Sequence, residues 1–233
     1  MRHIIVIIIV ALGFQTASAQ LFSKEKIRNL ENFDQKFLTW GYYLGFNSYD
    51  YKFDYNEVTE DIITETSAGF NVGLVGDMRI NNYFNLRLEP GIVFATRNLT
   101  FPDPRLTTVA EMEREVTSTY IHVPLLVKFS TKRQNNWKPF IVAGASWSHN
   151  LSSNEDNPDD NSAGQFRQTT NVINYELGIG VDLYLFYFKF SPSIRGVFAT
   201  GDELVRDADP NSAWTSNITS MQSRGIFINF TFQ

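Results

Sequence analysis

The chain has 233 residues, of which 43% are apolar and 15% aromatic, with no cysteine and a formal net charge of -5. That length supports one domain or at most two small ones, and the apolar fraction excludes a disordered chain. The missing cysteine removes disulfide scaffolds, thiolate metal sites, cysteine nucleophiles and a lipid anchor on an N-terminal cysteine, while the acidic balance leaves no basic footprint for nucleic acid.

Residues 1–19 have the order of a secretory signal: a basic start at Arg2 and His3, an apolar run over residues 4–12, and Ala17-Ser18-Ala19 before Gln20. The apolar run is shorter than the roughly 20 residues that cross a bilayer as a helix. The mature protein is therefore expected to be exported, with an N-terminal arm over residues 20–36 and one folded unit over 37–233.

Beyond the arm no apolar run reaches 18 residues, and the recurring signal is instead alternation with a period of two. Residues 39–47 set Trp40, Tyr42, Leu44 and Phe46 on one face, and residues 69–79 do the same with Phe70, Val72, Leu74 and Met78. Residues 83–96 place Phe84, Leu86, Leu88, Ile92 and Phe94 against Asn85, Arg87, Glu89, Gly91 and Ala95. Residues 119–130 oppose Ile121, Val123, Leu125, Val127 and Phe129 to Tyr120, His122, Pro124 and Lys128. Over residues 139–149 the face is ambiguous, because Phe140 and Val142 compete with Ile141, Ala143 and Trp147. Residues 171–182 set Ile173, Tyr175, Leu177, Ile179 and Val181 against Asn174, Glu176, Gly178, Gly180 and Asp182. Residues 186–198 alternate Phe186, Phe188, Phe190 and Ile194 with Tyr187, Lys189, Ser191, Ser193 and Arg195, and residues 225–232 set Ile226, Ile228, Phe230 and Phe232 against Asn229 and Thr231.

Eight such strands are the smallest even number that closes a barrel in a membrane. The connections alternate long and short, as expected when periplasmic turns are short and extracellular loops long. The expected fold is thus all-β, an eight-stranded antiparallel up-and-down transmembrane barrel with short periplasmic turns and four long extracellular loops. Lipid-facing Phe and interfacial Trp40, Tyr42, Tyr83, Trp147 and Tyr175 account for the many rings. The inward faces carry Asp77, Arg79, Arg87, Glu89, Lys128, Glu176, Asp182, Lys189 and Arg195. In so narrow a barrel these are expected to form a salt-bridged plug, not a pore. Pro90, Pro124, Pro139 and Pro192 run against the model, since a closed barrel has no edge where a missing N–H is harmless, and bulges are expected to absorb them.

The last strand carries Ser223, Gly225, Ile228, Phe230 and Phe232. Their spacing is that of a signal read by barrel assembly machinery. Catalytic motifs such as HExxH, GxSxG, a P-loop and GxGxxG are absent. His122 beside Tyr120 is the one candidate base, for a barrel enzyme acting on lipid or lipopolysaccharide, and a packed histidine is the simpler reading. Glu155, Asp156, Asp159 and Asp160 offer oxygens for calcium but lack the spacing of a defined calcium loop. No catalytic residue, cofactor or metal is assigned.

The arm and first strand, with Asn32-Phe33-Asp34 and Gly41-Tyr42-Tyr43-Leu44-Gly45-Phe46, resemble the PorT family of Bacteroidetes. Tyr120, Pro124, Leu125, Leu126 and Lys128 are similar to a pattern in the broader outer-membrane barrel family of that phylum. The resemblance implies a non-enzymatic outer-membrane component of the type IX secretion system, supporting export of proteins with C-terminal sorting signals and placement of gliding adhesins. Its expected partners are outer-membrane lipid, barrel assembly machinery and secretion components, with Asn29, Asn32, Phe33 and Asp34 in the arm as the contact. The alternatives are the lipid-modifying enzyme and an adhesive barrel binding through the loop over residues 151–170.

Overall fold

A computed structural model of the chain describes residues 28–57 and 60–233. The expected signal at residues 1–19 and the start of the arm lie outside the described residues. Ten strands follow a single 3-10 turn at Phe33–Gln35. They are β1 (Leu38–Tyr55), β2 (Ile63–Thr66), β3 (Ala68–Arg79), β4 (Phe84–Leu88) and β5 (Gly91–Thr100), then β6 (Glu113–Ser130), β7 (Trp137–Asn150), β8 (Asn171–Tyr184), β9 (Lys189–Ala199) and β10 (Ile218–Phe232). All neighbours are antiparallel, and the first strand pairs with both β3 and β10, so the sheet closes on itself.

The closed ring has eight staves. Both β4 and β5 pair with β3 on one side and β6 on the other, so they are two halves of one stave. They are separated at Glu89 and Pro90, where the proline cannot donate to the ladder. The alternation keeps its phase across the break: Leu88 and Ile92 face out while Arg87, Glu89 and Val93 stay buried. A second irregularity lies at Pro192. The β8–β9 ladder runs to Gly180 opposite Ser193 and resumes at Leu183 opposite Phe190. Pro124 and Pro139 are accommodated inside continuous ladders. Strand β2 pairs with the upper end of β5 on the same edge as β3, so it continues the β3 stave above an irregularity at Ser67.

Several strands outrun their expected bounds. Both β1 and β6 have 18 residues, well beyond the roughly 9 to 11 that cross a bilayer at a tilt. The added length lies at the long-loop end, where residues 48–55, 113–118 and 218–224 continue the alternation. At the opposite end the turns are short, over residues 80–83, 131–136 and 185–188. Phe186, Tyr187 and Phe188 belong to the last of these turns and not to β9, so Tyr187 points to the outside and not into the lumen. The long connections at the other end contain β2, a one-turn helix at Val109–Met112 and a 3-10 turn at Asn161–Ala163.

The two walls of the ring have opposite polarity. Phe46, Leu74, Ile141, Leu177, Ile179 and Ile226 stand exposed on the outer wall, whereas Asn71, Asp77, Arg87, Lys128, Glu176 and Arg195 are buried inside. A soluble protein would reverse this, so the outer wall is built for an apolar solvent. Register resolves the ambiguous strand: Phe140 and Val142 of β7 face inward, and Ile141 and Trp147 face out. Phe140 fits because Gly180 of β8 has no side chain, and a Cβ there would lie 2.4 Å from the ring.

Candidate functional site

The lumen is filled, and its filling is layered. In the half nearer the short turns a chain of charges crosses from one wall to the other. Asp77 holds Arg87 at 2.7 Å, and Arg87 reaches Glu89 at 3.3 Å. Glu89 holds Arg195 at 2.8 Å, and Arg195 lies 3.1 Å from Glu176. A second pair, Lys128 with Asp182 at 2.6 Å, is completed by the Ser191 hydroxyl donating to Asp182. The Lys128 ammonium also stands 4.1 Å from the centre of the Phe140 ring.

These contacts engage Asp77, Arg87, Glu89, Lys128, Glu176, Asp182 and Arg195, seven of the nine residues that the alternation places on the inward faces. Of the other two, Lys189 is buried but sits below the network over the Phe33 ring, 4.8 Å from its centre. Arg79 is displaced from the lumen to the short-turn rim, where its guanidinium donates to Asn82. Each buried charge needs a partner of opposite sign because desolvation costs several kcal/mol per ion, and alternation across neighbouring strands supplies those partners at fixed height.

His122 continues the chain of charges. Its Nε2 lies 2.9 Å from Glu176 Oε1, and its Nδ1 is 2.8 Å from the Ser148 hydroxyl. Serine, histidine and carboxylate are thus joined in sequence, the connectivity of a hydrolytic triad. All three are fully buried, and Glu176 is shared with Arg195, so the arrangement ties β6, β7, β8 and β9 together.

Toward the long loops the filling becomes aromatic. Tyr43 lies across inward Gly73 and Gly91, where added Cβ atoms would come within 2.6 Å and 2.2 Å of it. Above it Tyr49, Tyr120, Val93, Val197 and Phe227 form one cluster. Arg97 is the main cation of this layer. It donates to the Tyr120 hydroxyl at 3.0 Å and Ser118 at 3.1 Å, and its guanidinium carbon stands 4.1 Å from the centre of the Tyr51 ring. Above it the strand tops and loops make a core of Leu99, Phe101, Leu106, Phe166, Leu204 and Met221. Glu203 closes that core from the loop before β10. It accepts from the Ser223 N–H and hydroxyl at 2.7 and 2.9 Å, and burial pushes its carboxyl above the ordinary carboxylate range.

The arm packs across part of the short-turn mouth. Asn29 donates from its amide to the Tyr184 carbonyl and from its N–H to Asn136. Tyr184 donates its hydroxyl to Asp34, and Phe33 packs edge-on against the same ring. Arg133 lies 3.6 Å from the Tyr184 ring centre and donates to the Asn29 and Leu30 carbonyls. Of the four arm residues expected to meet a partner, Asn29, Phe33 and Asp34 are engaged with the barrel, and Asn32 is exposed.

Of the four acids considered for calcium, Asp160 accepts from Ser162 and Ala208, and Glu155 accepts from Thr170. No group of three or more metal-ligating side chains forms among the described residues. The assembly-signal residues Gly225, Ile228, Phe230 and Phe232 all lie on β10, the strand that closes the ring. The sequence stretches that were cut short are those that hid the upper layer: Tyr49, Tyr51 and Arg97 continue the inward phase of β1 and β5 only a few residues beyond the expected ends.

A ring of strands with lipid-compatible outer wall and charged interior defines the class of membrane-spanning β proteins. Residues 18–204 match the model of the "Outer membrane protein beta-barrel domain" family, and the chain belongs to that family. It is a protein of the outer membrane. No curated protein matches the chain significantly. Among solved structures it is similar to the outer membrane protein OprG of Pseudomonas aeruginosa, at 13% identity and TM-score 0.47 over 84% of this chain and 93% of that one. It is also similar to Neisserial surface protein A, at 12% identity and TM-score 0.41 over 82% and 95% of the two chains. Ail of Yersinia pestis, with heparin analogue bound, shows 13% identity and TM-score 0.38 over 83% and 96%.

Proposed function

We propose that this barrel is a non-catalytic accessory or assembly subunit of the type IX secretion system, oriented with the short turns in the periplasm and the long loops outside. The observation that carries the accessory role is the lumen. Its wall-to-wall ion pairs, from Asp77 through Arg195 to Glu176, leave no passage for a protein cargo. A subunit that does not conduct acts by contact. The secretion reading itself is supported by the PorT-like residues of the arm and first strand, and the strand β10 supplies the signal for barrel assembly machinery.

The docked arm refines the contact surface. Because Asn29, Phe33 and Asp34 are held by Tyr184 and Arg133, the periplasmic partner meets the arm and turns as one surface, with exposed Asn32 and Lys132 at its face. Deleting residues 29–36 in a barrel that still inserts is expected to reduce secretion of proteins bearing C-terminal sorting signals. Undiminished secretion, together with a pull-down from outer membranes that recovers no secretion component, would reject the reading. Unchanged lipid composition in His122→Ala separates it from the enzyme alternative.

A further inference from the structure

The short-turn mouth encloses a cavity of about 320 Å³ between the arm and the ends of β3, β7 and β9, within the range of about 300 to 1,000 Å³ usual for small-ligand sites. Lys138 and Lys189 form its depth and Arg133 its side, while Arg28, Lys36, Arg79 and Lys132 stand around the opening. Only two carboxylates line it, Asp34 and Asp77, against these seven cations, in a protein whose net charge is -5. Both acids are already engaged. Asp77 is held by Arg87 at 2.7 Å and by the Asn85 amide. Asp34 accepts from Tyr184, with Arg133 and Lys138 at the longer distances of 3.7 and 3.9 Å.

Lys189 is the decisive residue. It is 4% exposed, and among the described residues no carboxylate stands within ion-pairing distance of it; Asp77 and Asp182 act on it from farther off, and its ammonium rests on the Phe33 ring. A buried ammonium whose nearest carboxylates are already held by other cations gains from an anion that reaches it directly. The opening cations Arg28, Lys36 and Lys132 are exposed, so an anion enters from water.

We propose that this cavity binds a phosphate group, either a free phosphate or the headgroup of a phospholipid. Several oxygens and up to two charges let one phosphate be shared by Lys138 of β7, Lys189 of β9 and Arg133 of the turn before β7, whereas a carboxylate offers a single charge. Tyr83, in the turn before β4, lines the opening and is partly exposed, so a headgroup at the membrane surface has access as well as a soluble ion. The site does not depend on the secretion reading.

The test is calorimetric titration of the full-length barrel in neutral detergent with inorganic phosphate. Saturable binding that weakens as salt rises is expected, with affinity at least tenfold lower in Lys189→Met and unchanged in Lys52→Met at the opposite end. Circular dichroism and heat-modified gel migration establish that each variant is folded. Should Lys189→Met fail to fold, the opening double variant Arg79→Gln/Lys132→Met carries the test, with a severalfold loss expected. Repeating the titration in phosphatidylcholine bilayers with and without phosphatidic acid distinguishes the sources: competition identifies the headgroup, and none identifies free phosphate. Absence of saturable phosphate binding to the folded barrel, or binding equal in the wild-type and the variant tested, overturns the site.

Discussion

The two halves of the lumen solve the same problem, filling a narrow barrel, with opposite chemistry. Near the short turns the space is held by ion pairs that join β3, β4, β8 and β9 across the interior. Near the long loops it is held by Tyr51, Leu99, Phe101, Leu204 and Met221, packed like the core of a water-soluble domain. The difference follows the surroundings. Within the membrane the outer wall is already apolar, so an apolar interior would leave the strands with no preferred side; a charged interior fixes which face meets lipid. Above the apolar wall the strand tops and loops have water outside, and the ordinary rule of an oily interior returns.

The largest expected effect comes from breaking the ionic half. Arg195→Met removes the guanidinium shared by Glu89 and Glu176, leaving Glu89 with Arg87 alone and Glu176 with His122 alone, and removing one member of a buried pair costs about 3–5 kcal/mol. Urea unfolding of the barrel in lipid or micelles measures it, and a loss under about 1 kcal/mol would show that the network does not hold the walls together. Met221→Ala opens the apolar half and is expected to cost that region about 2–5 kcal/mol. Here the readout is faster proteolysis of the loop over residues 200–217 with little change in the unfolding of the membrane-embedded staves. If both halves soften together, the layers are one cooperative unit.

Leu177→Arg tests the outer wall that makes the ionic half necessary. A charge on the lipid face near the middle of the band costs about 2–4 kcal/mol, and insertion into vesicles should fall accordingly. The smallest effect concerns pH. Burial holds the folded Glu203 carboxyl above its ordinary range, so the folded state keeps a proton that the unfolded chain has released. Stability of the loop-end core therefore falls as pH rises from the usual carboxylate range through the raised value. Glu203→Gln should flatten that dependence, read as hydrogen exchange at Ser223 across the same pH window; an unchanged slope would place the titration elsewhere.

Much of this was legible in the residues. Alternation from Trp40 to Phe46, Ile173 to Ile179 and Ile226 to Phe232 identifies the outer wall because a strand sends successive side chains to opposite faces. The same phase places Arg87, Glu89, Lys128, Glu176 and Arg195 inside. Strand ends were not legible, since Tyr49, Tyr51 and Arg97 alternate with polar residues that read equally well as loop. Nor was the division of the rings: Tyr43, Tyr49, Tyr120 and Phe227 lie in the lumen, so only part of the aromatic excess serves the membrane.

The sequence by itself determined the number of staves, the polarity of each wall and the inventory of charges to be balanced, because these depend on a two-residue period that the local chain already expresses. Tertiary structure alone decided which charges meet. Glu89 and Arg195 are more than 100 positions apart and join only because the ring has closed and the break between β4 and β5 stands at the height of Arg195 on β9. The same closure drew Asn29, Phe33 and Asp34 onto Tyr184 and left Lys189 with no carboxylate at ion-pairing distance. No local pattern encodes that distance, since it is set by the curvature and stagger of the whole barrel.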